Sequence, residues 1–242
     1  MALFQPVIGG LRVLAVTARS AVGDVVSAAA RVGDAVSGSA AGREPSDAVL
    51  RVSVIILSDE HGVALCPTDA VLPALRTADE VLTREAGIRV RVTGVSTIPV
   101  PAPTEALDPH ANRGLLLDEV LGRLDHFRPY LPPSETMSSP VTVVVVRKIA
   151  GNTTGCSLGM TADWVVCQAS LFDAADAHSY DETVLVHELG HALNLPHHKD
   201  PANLMYPSSS PPEHVRGTAM QRWQALVLQT NRHTVHPRRP SP

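Results

Sequence analysis

Apolar residues recur along this chain in three rhythms, and each rhythm predicts a different element. In the first forty residues Val7, Leu11, Leu14, Ala18, Val22, Val25, Ala29, Val32 and Val36 stand three or four apart, the period of an amphipathic helix. A near-repeat, Val22-Gly23-Asp24-Val25-Val26-Ser27 and Val32-Gly33-Asp34-Ala35-Val36-Ser37, runs through it, and its glycines weaken the helix. The polar, Gly- and Ser-containing stretch 38–47 predicts a linker. Residues 1–47 are therefore expected to be a helical extension with a linker, 48–236 the domain, and 237–242 a tail.

From Val49 the rhythm changes. Val49–Leu57 is a β-branched run that predicts a buried strand, and Ile88–Ile98 alternates as a strand with one covered face should. Between them Thr68–Ala86 has helical spacing, with Thr68 or Asp69 as the expected cap and Gly87 as the stop. Residues 99–109 and 129–140 are Pro-rich and predict loops around a helix over Leu115–Phe127. Val141–Ile149, with its valines, predicts a central strand, and Gly151–Thr161 and Trp164–Gln168 predict short extended pieces. A long helix follows, then a last one expected near 214–230. Strand, helix, strand, strand and helix predict an α+β fold with a mixed sheet.

Composition narrows the function classes. The chain has 242 residues, 44% hydrophobic and 18% charged, which is ordinary for a globular protein. Only 3% are aromatic, so the core is built from aliphatic side chains. A net charge of -4 with no basic stripe gives no expectation of nucleic acid as a partner. Three cysteines are too few for a disulfide scaffold, although Cys156 and Cys167 flank a short segment that could be a bridged hairpin in an oxidising compartment. No apolar run reaches bilayer length, and Arg12 interrupts the early apolar stretch, so no clear signal peptide is read. Contact of residues 1–40 with a membrane surface or a partner is an open alternative to packing on the domain.

The chemistry is concentrated in His187-Glu188-Leu189-Gly190-His191. Histidines four apart lie on one helix face, so both imidazoles can reach one ion, and Glu188 can hold and deprotonate a water there. Ser179-x-x-Glu182 predicts a capping box at the helix start, and Asn194, tolerant of the left-handed conformation, predicts its end. The turn would bring His197 back as a third ligand and leave the fourth tetrahedral position open, as in a catalytic zinc site.

With His197 and Leu204-Met205-Tyr206-Pro207 added, the stretch His187–Pro207 resembles the metzincin zinc endopeptidases, locally most like the matrixin branch. That resemblance implies a zincin/metzincin-like mixed sheet with an active-site helix, a Met-turn and a C-terminal helix. It implies His187, His191 and His197 as ligands of one catalytic zinc ion, Glu188 as general base, and Met205 as the apolar floor of the Met-turn. It also implies export, and hydrolysis of internal bonds in a protein or peptide bound extended along an edge strand, placed at Leu158–Ala162. Two departures stand out: Asn194 replaces the family glycine, and Tyr206 directly follows the methionine, so it is left off the ligand list. Glu213 is a rival third ligand by its separation from His191, but reads better as a first-turn acid of the last helix. Cys66 reads as a packing cysteine. The alternative function is a zinc-stabilised binding module or delivered effector of little or no activity that uses the same cleft.

Overall fold

The structure, a computed structural model, describes residues 48–102, 140–149, 153–157 and 164–236. The expected amino-terminal helix and linker, the helix over Leu115–Phe127, the strand piece Leu158–Ala162 and the tail 237–242 lie outside the described residues. The elements in chain order are β1 (Ala48–Ser58), α1 (Leu72–Ala86), β2 (Ile88–Pro101), β3 (Val141–Val146), β4 (Gly155–Ser157) and β5 (Trp164–Gln168). A 3-10 turn (Ala169–Phe172), α2 (Glu182–Ala192), α3 (Arg222–Thr230) and β6 (Thr234–Val235) complete them.

The sheet runs β2-β1-β3-β5-β4, parallel except for β4, which is antiparallel to β5. β6 pairs antiparallel with Val49 and Leu50 of β1, just before β3 takes over at Val52. All six residues of β3 are buried, because both faces of this strand are covered. That is why its sequence is a valine run and not an alternation. One face carries Leu50, Val52, Val54, Ile56, Val143, Val145 and Val165 against residues of α1 and α2. The other packs Ile55, Leu57, Val144, Val146, Ile149 and Val166. The mixed sheet with helices packed on it is the expected fold class.

Several boundaries differ from the sequence expectation. α1 begins at Leu72, not Thr68: Thr68–Val71 form turns, and Pro73 sits in the first helical turn, where its missing N–H costs nothing. Its end is as expected, with Gly87 left-handed at φ 64° and its N–H on the carbonyls of Leu82 and Thr83. α3 begins at Arg222, where Gln221 and Gln224 form a reciprocal cap, and not at 214. Glu213 therefore caps no helix. It is exposed in a turn closed by Ser210 and His214.

Cys66, Cys156 and Cys167 are buried free thiols. Cys156 lies opposite Val166, and Gly155 opposite Cys167, so strand alternation puts the two cysteines on opposite faces of the sheet. No bridge forms across that hairpin. Burial pushes the Cys66 thiol up to about 11, consistent with packing.

Candidate metal centre

The site is built on α2, a helix buried on nearly every side. Its cap is Asp181, not the expected Ser179: the carboxylate accepts the N–H of Thr183 at 2.8 Å and its hydroxyl at 2.6 Å. Glu182 is unavailable for a capping box, because it accepts from Tyr180 Oη at 2.6 Å and Thr77 Oγ1 at 2.7 Å. The second of these ties α2 to α1.

The helix ends in a turn that returns the chain toward the ligand face. Asn194 has φ 75°, the left-handed conformation expected of it, and its N–H reaches the carbonyl of His191 at 2.9 Å. Leu195 N–H then reaches Gly190 O at 2.9 Å. His197 follows on the loop. Its ring centroid is 5.6 Å from that of His187 and 4.6 Å from that of His191. One nitrogen from each of the three rings lies within 4.8 Å of the others, the one such group among the described residues.

The free nitrogens can be identified. His187 Nδ1 is 2.8 Å from Leu204 O, and His191 Nδ1 is 2.8 Å from Leu195 O. A carbonyl can only accept, so both Nδ1 atoms carry the proton and both Nε2 lone pairs are left for a metal. Burial depresses the imidazoles, His187 to about 3 and His191 to about 4, and lowers His197 as well. They are neutral donors at neutral pH. Three neutral imidazole donors fit zinc.

Glu188 packs against β4. It is 6% exposed, and burial raises its carboxyl to about 8, opposed by the Arg216 charge and a hydrogen bond from the backbone N–H of Ser157 on β4. Gly155 makes this approach feasible: a Cβ there would lie 2.7 Å from Val184 Cγ1 and 2.9 Å from Glu188 Cγ.

Met205 is fully buried beneath the helix. Gly190, between the two helical histidines, makes room for it, since a Cβ there would meet Met205 Sδ at 2.6 Å. Polar groups fix the turn that carries Met205. Asn203 and Gln224 exchange amide hydrogen bonds of 2.8 and 3.1 Å in the interior, and Asn203 Oδ1 also accepts from Met205 N at 2.9 Å. His198 N–H closes on Met205 O at 2.8 Å. Beyond the turn, Gly217 N–H bonds Pro201 O and Ala219 N–H bonds Ala202 O.

The structure thus brings together His187, His191 and His197, with Glu188 and Met205 beside them. Glu213 is not part of the group, and the ring of Tyr206 faces His214 at 6.5 Å. Sequence reading missed Asn203, Gln224 and Arg216. Asn203 and Gln224 stand 21 residues apart and meet only through the fold.

A family model described as Matrixin matches residues 148–222, the stretch that holds β4, β5, α2, His197 and Met205. Among solved structures, metalloproteinase-II from Bacteroides fragilis is similar at 14% identity and a TM-score of 0.45, over 76% of this chain and 52% of that one. This chain therefore spans about half the length of that enzyme. Archaemetzincin from Methanopyrus kandleri is similar at 17% identity and a TM-score of 0.46, over 75% of this chain and 94% of that one. A zinc-dependent peptidase from Methanocorpusculum labreanum is similar at 17% identity and a TM-score of 0.39, over 73% of this chain and 99% of that one. No curated protein matches the chain. Over the stretch matched by the Matrixin model the chain is similar to metzincin-type zinc metallopeptidases, and its three-histidine group is a donor set for one zinc ion.

Proposed function

We propose that this chain is a zinc-dependent endopeptidase in which His187, His191 and His197 hold the ion and Glu188 is the general base. The observation that carries this reading is the convergence of three neutral imidazoles, two with Nδ1 already committed to carbonyls, beside a buried carboxylate. When bound, zinc supplies a Lewis acid that polarises a scissile carbonyl and acidifies water. A bound cation's charge would oppose the burial that raises the Glu188 carboxyl and leave it ionised, so that Glu188 takes a proton from water on a carboxylate oxygen and returns it to the leaving amine. Met205 packs under the helix and keeps the histidine face from sagging toward the core. A peptide would lie extended beside β4, which ends the sheet order among the described residues. The hydrogen bond from Ser157 to Glu188 ties that strand to the base.

Replacing Glu188 by Gln keeps the three imidazoles and the size of the side chain but removes the base. Zinc content should remain at one per chain while cleavage of denatured casein falls about 10²- to 10⁴-fold. Equal turnover by wild type and variant would overturn the proposal.

A further inference from the structure

Helix α3 carries apolar residues on two opposite sides. Gln224 and Leu228 are buried on its inner side, whereas Trp223 and Leu226, one turn apart on the outer side, are 42% and 45% exposed. Among the described residues the other exposed large apolar side chains, Val63, Leu72, Val92 and Val215, stand singly on separate segments. Scattered apolar residues need no explanation, but a helix that is apolar on both sides asks for something to cover each. The Trp223 indole N–H donates to Gln221 Oε1 at 2.5 Å, so the ring can lose its water without leaving a donor unpaired.

The chain enters the domain beside this helix. Ala48 opens β1, and the next two residues, Val49 and Leu50, pair with Val235 and Thr234 of β6. Thr234 Oγ1 in turn donates to Leu228 O at 2.7 Å, which fixes the carboxyl end of α3 against that corner of the sheet. Residues 1–47 therefore arrive next to α3, at the end of β1 away from Ser58. The ten residues 38–47 reach at most about 33 Å, and the nine residues of α3 are about 14 Å long. The apolar stripe Val22, Val25, Ala29, Val32 and Val36 is thus within range of Trp223 and Leu226. Two side chains are too little for a separate partner, which needs roughly 1,200 Å² of buried surface. A tethered segment, held at about millimolar local concentration, needs far less.

We propose that the outer face of α3 is the docking surface for this chain's own amino-terminal segment, whose apolar stripe covers Trp223 and Leu226. The inner side of α3 carries Gln224, which clasps Asn203 beneath the turn of Met205. The docked segment braces the same helix from outside.

The test uses the full chain. Hydroxyl-radical oxidation of single residues is read by mass spectrometry in the wild type and in a chain carrying Val25→Asp and Val32→Asp, which spoil the stripe without touching the domain. Oxidation of Trp223 and Leu226 should rise at least threefold in the variant, while Val63 and Leu72 stay unchanged as internal references. The wild-type protection should not vary as the chain is diluted. In a second measurement, benzoylphenylalanine in place of Leu226 is photoactivated, and the adducts should join it to peptides from residues 7–36 of the same chain. Equal oxidation of Trp223 and Leu226 in the two chains overturns the inference. So do adducts that form only between chains with protection that fades on dilution, which assign the face to a second copy. Protection that appears only on adding anionic phospholipid vesicles overturns it as well and assigns the face to a membrane. The peptidase reading stands or falls separately, on the Glu188→Gln measurement.

Discussion

The two halves of the candidate metal centre are held by different forces. His187, Glu188 and His191 stand on α2, whose buried apolar residues lock it against the sheet and α1. His197 and Met205 stand on the chain between α2 and α3, which has little regular structure and is held by polar contacts. Asn203, Gln224, the carbonyls of Leu195 and Leu204, and the pairing of 217–219 with 201–202 do that work. Packing forgives small changes of shape, but a buried polar clasp left half-made is expensive. The loop half should therefore be the more fragile one.

The largest expected effect on stability follows from Gly217→Ala. Its Cβ would meet backbone, Ala202 O at 2.0 Å, which cannot rotate away. Chemical denaturation should show a loss of about 3 kcal/mol, and an unchanged midpoint would mean that the loop is not clamped there. Asn203→Ala comes next. It leaves the Gln224 amide and Met205 N–H without their partner in the interior. A loss of about 2 kcal/mol is expected, with zinc affinity measured by competition with a chelator falling roughly tenfold. On the helix half, Asp181→Ala removes the cap of α2 and the link to Ser209. It should cost about 1 kcal/mol. A greater loss from this cap than from Asn203 would reverse the comparison.

The smallest effect is in the pH dependence of the zinc-free chain. His187 and His191 are held neutral in the fold down to about 3 and 4, against an ordinary 6.5. Below 6.5 the unfolded chain binds the additional protons, so stability falls as pH drops toward 4. Glu188 is held protonated up to about 8, against an ordinary 4.5. Between those values the folded chain binds the additional proton, so this contribution falls as pH rises through 8. Below 6.5 the two histidines outweigh the glutamate, and of these three groups only the glutamate acts between 6.5 and about 8. Denaturation midpoints should peak near pH 6.5, and Glu188→Gln should remove the decline between pH 6.5 and about 8.

The same contrast explains what could be read in the sequence. Strands β1, β3 and β5 and the candidate ligand pair of α2 follow from local periodicity, because burial on a regular element writes itself into residue spacing. Asn194 was legible because its φ requirement is local. The start of α2 was misread because Ser179-x-x-Glu182 satisfies a local pattern, while Tyr180 and Thr77 capture Glu182 in the fold. The last helix was placed too early because Pro211, Pro212 and Glu213 resemble a helix start, yet Ser210 and His214 close a turn there. The Asn203–Gln224 clasp left no local trace. Its role depends on segments that meet only when the domain is formed.

X-ray absorption at the zinc edge of the purified chain tests the central claim most directly. The account predicts one zinc per chain with three imidazole nitrogens, no sulfur, and one further light-atom ligand that exchanges with solvent, and loss of one imidazole in His197→Ala. Sulfur in the coordination shell, or an imidazole count that does not change when His197 is replaced, would contradict it.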